Sequence, residues 1–332
     1  MRSLFALQVE GLTKVYSSRI RAVDSISFKV ESGEIFGLLG PNGAGKTTTI
    51  KMISTISRPT SGSILVFGVD AKKHPDRVRE LIGYIPQSVS VDGDLTGYEN
   101  LLIFSKLSHV SKKERDARIM FALEYMGLKE RANELVKHYS GGMMRRLEVA
   151  QALVNRPKLL ILDEPSIGLD PASKTQMWDY LRKMNKEFGT TILLTTHDMA
   201  EADLLCHRIA IMNAGKIAAI GSPQELKVSV GGDMIKLCLD SSAIEKLVIP
   251  DELGRIIGYE NSNVIISAEN AERKIPSIVE YLLKRGIKIE SISFNKPTLN
   301  DVFLKYARVA FEEGESYSQA RAMRRVFARR SR

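Results

Sequence analysis

Gly40-Pro41-Asn42-Gly43-Ala44-Gly45-Lys46-Thr47 is the stretch that decides how the rest of this 332-residue chain is read. Before it stands Ile35-Phe36-Gly37-Leu38-Leu39, a continuous apolar run of the kind found in strands buried on both faces. After it, from Lys46, a helical segment is expected. A strand–loop–helix unit carrying GxxxxGK and then Ser or Thr is a cradle for phosphate. Glycines let the backbone close around phosphate oxygens, and N–H groups at a helix start favour anions. Lys46 is placed to reach the β- and γ-phosphates of a nucleotide, and the Thr47 hydroxyl to hold Mg²⁺. Thr48 closes the candidate binding segment. A glycine-rich turn that binds nothing is the competing reading, but it gives a lysine in this place little structural purpose.

Further along, Leu159-Leu160-Ile161-Leu162-Asp163-Glu164 is an apolar strand ending in two acids. Asp163 suits Mg²⁺, directly or through water, and Glu164 is placed to polarise an attacking water. Phosphate loop and acidic strand together resemble the P-loop NTPases, a class that includes kinases, GTPases and DNA motors.

Tyr139-Ser140-Gly141-Gly142-Met143, followed by a helix-forming run to Val154, narrows the reading. It resembles the signature of ABC (ATP-binding cassette) proteins, usually Leu-Ser-Gly-Gly-Gln, with Tyr for Leu and Met for Gln. Ser140 is expected to cap the following helix and leave a positive helix end facing outward. The resemblance implies that Ser140, Gly141 and Gly142 contact the γ-phosphate bound to a second cassette, so that two ATP molecules join two subunits head to tail. It also implies roles for residues falling in family order: Tyr16 stacking on adenine, Gln87 sensing Mg²⁺ and water, Gly168-Leu169-Asp170 communicating across the dimer, and His197 touching the γ-phosphate. ATP and Mg²⁺ are the cofactors implied.

The coarse pattern suits an α/β fold. Leu7–Val9 and Ile26–Val30 read as an antiparallel N-terminal β layer, Gly97–Ala152 as a helical subdomain, and Thr191–Thr195 as another buried strand after a helix over Ser173–Glu187. Ile209–Met212 and Lys216–Ile220 flank Asn213-Ala214-Gly215, a hairpin signal. Residues 1–221 are thus expected to form a P-loop cassette with a mixed sheet core. Residues 222–310 read as a small α+β domain: strands at Met234–Leu239, Arg255–Tyr259, Val264–Ser267 and Ile287–Phe294, and helices at Ala243–Leu247, Ala271–Arg285 and Thr298–Val309. That order suits a ferredoxin-like sandwich.

Composition agrees with a cytosolic globular protein. Hydrophobic residues make up 44% and charged residues 26%. Cys206 and Cys238 are the two cysteines and belong to no CxxC or His/Cys cluster, which argues against a disulfide framework or a zinc site. No apolar stretch approaches the ~20 residues that cross a bilayer, and Met1–Glu10 lacks the apolar run of a secretory signal. The net charge is +9, but six arginines after Ser316, with no acid among them, leave +3 for residues 1–315. The body is close to neutral and nucleic acid is an unlikely partner. The basic tail over 311–332 suits either a segment lying on anionic lipid or a solvated tail.

Pro297-Thr298-Leu299-Asn300-Asp301-Val302-Phe303-Leu304 resembles the Pro-x-Leu-x-Asp-Val-Phe-Leu ending of daunorubicin-resistance-type ATP-binding subunits. Such proteins work at the cytoplasmic face of the membrane beside a separate multi-span permease, mostly in export of drugs, lipids, glycans or ions. This implies an ATPase that associates peripherally with the membrane and pairs with a second cassette, expected as a homodimer. The other readings are a soluble ABC ATPase acting on nucleic acid or ribosomes, and a protein that binds ATP without turnover.

Overall fold

The apolar runs that frame the phosphate loop become strands with both faces covered. The computed structural model describes residues 5–17, 20–229, 233–239, 247, 249–260, 263–268 and 271–312. In it every residue of β3 (Ile35–Leu39), β7 (Leu159–Asp163) and β8 (Thr191–Thr196) is buried. With β6 (Ile82–Ile85), β9 (Arg208–Asn213) and β10 (Lys216–Gly221) they form a sheet ordered β10-β9-β3-β8-β7-β6. All pairings are parallel except that of β10 with β9. At that hairpin Ala214 (φ 47°) and Gly215 (φ 81°) both take the left-handed conformation that a tight two-residue turn requires.

The N-terminal layer is longer than its apolar stretches suggest. β1 (Phe5–Val15), β2 (Arg21–Glu31), β4 (Ser61–Val66) and β5 (Val69–Asp70) form an antiparallel sheet ordered β2-β1-β4-β5. β4 opens with exposed Ser61-Gly62-Ser63, which hides its strand character. Leu7, Val9, Ile26 and Phe28 from this layer share a core with Phe36, Leu38, Ile50 and Ile53. The rings of Phe28 and Phe36 stack 5.4 Å apart. Burying each such side chain contributes roughly 1.5–3 kcal/mol.

Helices α1 (Lys46–Ile53), α2 (Pro75–Leu81), α3 (Gly97–Leu107), α4 (Lys112–Tyr125), α5 (Gly141–Leu153), α6 (Pro171–Phe188) and α7 (Met199–Leu205) complete this part. Their ends are set locally. Thr96 and Glu99 form a reciprocal capping box on α3. Asp170 accepts from the Ser173 amide ahead of Pro171, and Gly189 ends α6 in a left-handed cap.

The chain divides into two compact units, Met1–Ser222 and Pro223–Arg332. The second holds α8 (Pro223–Ser229), β11 (Asp233–Leu239), β12 (Arg255–Glu260), β13 (Asn263–Ala268), α9 (Ala271–Lys284), β14 (Ile289–Asn295) and α10 (Leu299–Glu312). Its sheet is antiparallel throughout and ordered β12-β13-β11-β14, the strand order of the ferredoxin-like arrangement. Alternate residues Ile235, Leu237 and Leu239 face a core with Val264, Ile266, Ile278 and Leu282. β14 starts at Ile289, two residues later than the apolar pattern indicates. The helix expected over Ala243–Leu247 lies, except for Leu247, outside the described residues, as does the tail beyond Glu312.

Candidate active site

Strand order assembles the site. β3, β8 and β7 are neighbours, so their C-terminal ends bring the phosphate loop, His197 and the Asp163-Glu164 pair to one edge of the sheet, where open α/β sheets bind ligands. The loop has no room for side chains at its ends. A Cβ on Gly40 would stand 2.3 Å from the Met212 carbonyl oxygen. Gly45, at φ 100°, would put one 2.4 Å from the Ala22 oxygen. From Gly45, α1 starts with neither a side-chain cap nor an acid in its first turn, which leaves its N–H groups to an anion. Gly43 faces open space, Asn42 is exposed, Ala44 is buried, and Pro41 and Thr48 are half-buried.

Lys46, 4% exposed, donates to the Gly40 oxygen at 2.7 Å and the Pro41 oxygen at 3.1 Å, and lies 3.4 Å from Glu164 Oε1. Burial lowers its pKa, against the raising effect of Glu164 and Asp163. Glu164 Oε2 meets His197 Nδ1 at 2.7 Å. One carboxylate therefore ties the loop lysine to the histidine after β8. Glu164 sits in the left-handed region at φ 52°, which a non-glycine residue keeps only when its surroundings hold it. Its amide is bonded to both the Thr195 oxygen and Thr195 Oγ1, at 3.1 and 3.0 Å. The Thr195 hydroxyl donates to Asp163 Oδ1 at 2.6 Å, and Thr47 Oγ1 donates to the same oxygen at 3.1 Å.

The Thr47 hydroxyl beside the Asp163 carboxylate is a pair of hard oxygen donors suited to Mg²⁺, which is commonly held by one or two carboxylates and the phosphates of its substrate. No group of three or more His, Cys, Asp or Glu that would form an all-protein cage exists among the described residues. Gln87 is exposed after β6, one strand beyond Asp163, and no hydrogen bond joins it to Thr47 or Asp163. Tyr16 is 43% exposed, with Lys14 Nζ 5.2 Å from its ring centre. The Tyr16 amide donates to the Ile20 oxygen at 3.0 Å, just ahead of the β2 start that packs against Gly45.

Ser140 accepts from the Met143 amide at 3.2 Å and caps α5, and it and Gly141 are exposed. Gly142 is buried against Ser173. Tyr139 puts its hydroxyl to use, donating to the Arg131 oxygen at 2.6 Å. Gly168 takes φ 73° and helps line a cavity of about 70 Å³ with Glu164, Lys174, His197, Asp198 and Glu201.

Sequence reading missed Thr195, Glu201 and a buried pair on α5. Arg145 is 5% exposed and uses all five of its N–H donors. Nε donates to the Pro165 oxygen at 3.0 Å, Nη1 to the Pro86 oxygen and Glu148 Oε2 at 2.8 Å each, and Nη2 to the Asp163 and Glu164 oxygens at 3.1 Å each. Glu148 Oε1 accepts from the Ser90 amide at 2.6 Å and hydroxyl at 2.8 Å. The signal for the pair was slight: an arginine and a glutamate three apart on a helix face that is otherwise apolar.

Residues 23–167 match the family model described as ABC transporter, and residues 221–307 that described as ATP-binding protein DrrA1-3-like, C-terminal domain. The chain is 40% identical over 304 residues to the daunorubicin/doxorubicin resistance ATP-binding protein DrrA of Streptomyces peucetius, covering 90% of this chain and 91% of that one. It belongs to the DrrA-like ATP-binding subunits of ABC transporters. This DrrA-like chain is also 42% identical over 236 residues to the Nod factor export ATP-binding protein I of Burkholderia pseudomallei, covering 71% of this chain and 77% of that one. Among solved structures it resembles the dimeric post-hydrolysis state of the cassette MJ0796 bound to ADP and Pi, with TM-score 0.59 and 27% identity over 65% of this chain and 98% of that one. Members of the ABC family hydrolyse ATP. No helix of the DrrA-like subunit, among the described residues, is long and apolar enough to cross a membrane.

Proposed function

We propose that this chain hydrolyses ATP and drives a separate multi-span permease, working in export from the cytoplasmic face of the membrane. The observation that carries the reading is the convergence of Lys46, Glu164 and His197 through one carboxylate, with Thr47 and Asp163 bonded beside it. Residues 40–48 cradle the phosphates and Tyr16 stacks on the base. Lys46 moves its charge from Glu164 and the loop carbonyls to phosphate oxygens, which compete for the same ammonium. Released from that pair, Glu164 takes a proton from a water as its oxygen attacks the γ-phosphorus and the bond to ADP breaks. His197 orients Glu164 and reaches toward the γ-phosphate. Thr47 and Asp163, with Gln87, would hold Mg²⁺, which would supply neutralisation of phosphate charge.

Ser140, Gly141 and the α5 start are exposed, so a second copy of the chain presents its nucleotide there and two cassettes close head to tail. Hydrolysis removes the shared γ-phosphate contact and reopens the dimer. In this reading residues 1–221 are the nucleotide-binding domain, 222–310 an accessory domain and 311–332 a basic tail. Two similar proteins whose names carry drug resistance and Nod factor export favour an exporter over an importer.

Glu164→Gln is expected to bind ATP normally while phosphate release falls by about 10²–10⁴-fold. On size exclusion with ATP the variant should run as a trapped dimer. Wild-type turnover in this variant would remove Glu164 from the role of base.

A further inference from the structure

The geometry points to Arg145 as a positioning residue through which the signature helix of a subunit sets the place of that subunit's own Glu164, making hydrolysis at one site answer to the nucleotide held at the other. The inference rests on the head-to-tail ATPase reading and adds to it a path inside each subunit.

Three of Arg145's five hydrogen bonds end on consecutive carbonyls, those of Asp163, Glu164 and Pro165. Backbone at Glu164 needs outside support, because its φ of 52° is unfavourable for a residue with a Cβ. Thr195 holds the amide side of Glu164 and Arg145 holds the carbonyl side. The carboxylate that meets Lys46 and His197 is therefore aimed by two clamps, one on β8 and one on α5.

Stability alone gives a weak reason for this arrangement. Burying a guanidinium and a carboxylate together is often no better for stability than well-packed apolar residues of similar volume. Directed bonds are what an apolar replacement cannot supply. The next residue shows the contrast: Arg146 is half-buried and donates to the Met126 oxygen at 3.1 Å, within the helical layer.

Arg145 stands five residues after Ser140 on one continuous helix, about 7.5 Å along its axis. Any shift of the exposed α5 start toward a phosphate on the second copy reaches the guanidinium directly, and through it three carbonyls around Glu164. The same block includes the segment around Gln87: Pro86 is bonded to Arg145 and Ser90 to Glu148. α5, the end of β7 and residues 86–90 are thus locked by one ion pair with no donor to spare.

The test uses the full chain, with steady-state phosphate release measured against ATP concentration and binding followed with a fluorescent ATP analogue. Arg145→Met/Glu148→Met removes both charges at similar volume, so neither is orphaned. Arg145→Lys keeps the charge but replaces a five-donor fork with a point donor. Both are expected to bind the analogue within about threefold of wild type while kcat falls about 10- to 100-fold, as misplacement of a reacting group does. The Hill coefficient for ATP is expected to exceed one in wild type and to fall to one in both variants. A folded variant that keeps both rate and Hill coefficient overturns the inference, as does hyperbolic wild-type kinetics, and each leaves the ATPase reading intact. Should the double variant not fold, Arg145→Lys decides on the same readouts. A wild type that releases no phosphate overturns the ATPase reading and this inference together.

Discussion

Glu201 shows how much one side chain can hold in place. It is 1% exposed, and Oε1 accepts from Trp178 Nε1 at 2.9 Å. Burial raises its pKa, and the Asp198 charge adds to that, while Thr196, Ser166 and Trp178 work in the opposite direction. Around the same cavity, Lys174 pairs with Asp198 at 2.8 Å. Burial alone would raise Asp198, but this pairing and the α7 amides hold it below its ordinary value. A carboxyl raised on folding keeps its proton over a pH range where the unfolded chain has lost it. Its stabilising contribution is complete below the ordinary glutamate pKa and is lost as pH rises through the folded value. Glu201→Gln keeps the shape and the acceptor for Trp178 but no longer titrates. It is expected to melt close to wild type near about pH 4, and above wild type near about pH 8. A difference in melting temperature that stays flat across that range, or runs the other way, would show that Glu201 is ionised in the folded protein.

Between elements, the contact that counts most for the signature is α5 on α6. A Cβ on Gly142 would stand 2.6 Å from Ser173 Oγ and 2.9 Å from its Cβ. Ser173 is itself fixed, its amide and hydroxyl both bonded to Asp170. Gly142→Ala is therefore expected to destabilise by about 1–3 kcal/mol, the usual result of overpacking. Adding Ser173→Ala removes the nearer of the two atoms while leaving the backbone cap on Asp170. The double variant should recover part of the loss, with a coupling of about 0.5–3 kcal/mol in a thermal double-mutant cycle. Strict additivity would mean that α5 and α6 yield independently there. At this scale the sequence was readable wherever the signal was local. β3, β7 and β8 announce themselves as apolar runs, and the phosphate loop, the Asp163-Glu164 pair and Ser140 each carry a residue pattern within their own short stretch. Arg145, Glu148 and Thr195 were not readable. Arg145 works mainly on backbone carbonyls 18 to 59 residues away, and a carbonyl carries no residue type to recognise. β4 escaped for a different reason, since its first three residues face solvent and show no alternation.

For the whole molecule, the decisive feature is that, among the described residues, two separate cores have no residue in common. One runs from Leu7 to Met212 and the other from Ile235 to Leu282. Every group that meets at the phosphate edge, from Lys46 to His197, lies on the first. The boundary has a local cause as well: Gly221 ends β10, and Pro223 follows as the first residue of α8, a position where its missing N–H costs nothing. A unit with its own closed core and roughly two hundred residues is large enough to fold alone. Ending the chain at Ser222 is thus expected to leave a fragment that unfolds in a single cooperative transition and binds an ATP analogue within about threefold of the full chain. Calorimetry and an analogue titration on the same preparation check both halves of that statement. Loss of the cooperative transition would mean that residues 223–332 supply folding energy to the first unit. A retained transition with lost binding would assign residues 223–332 a part in the nucleotide site.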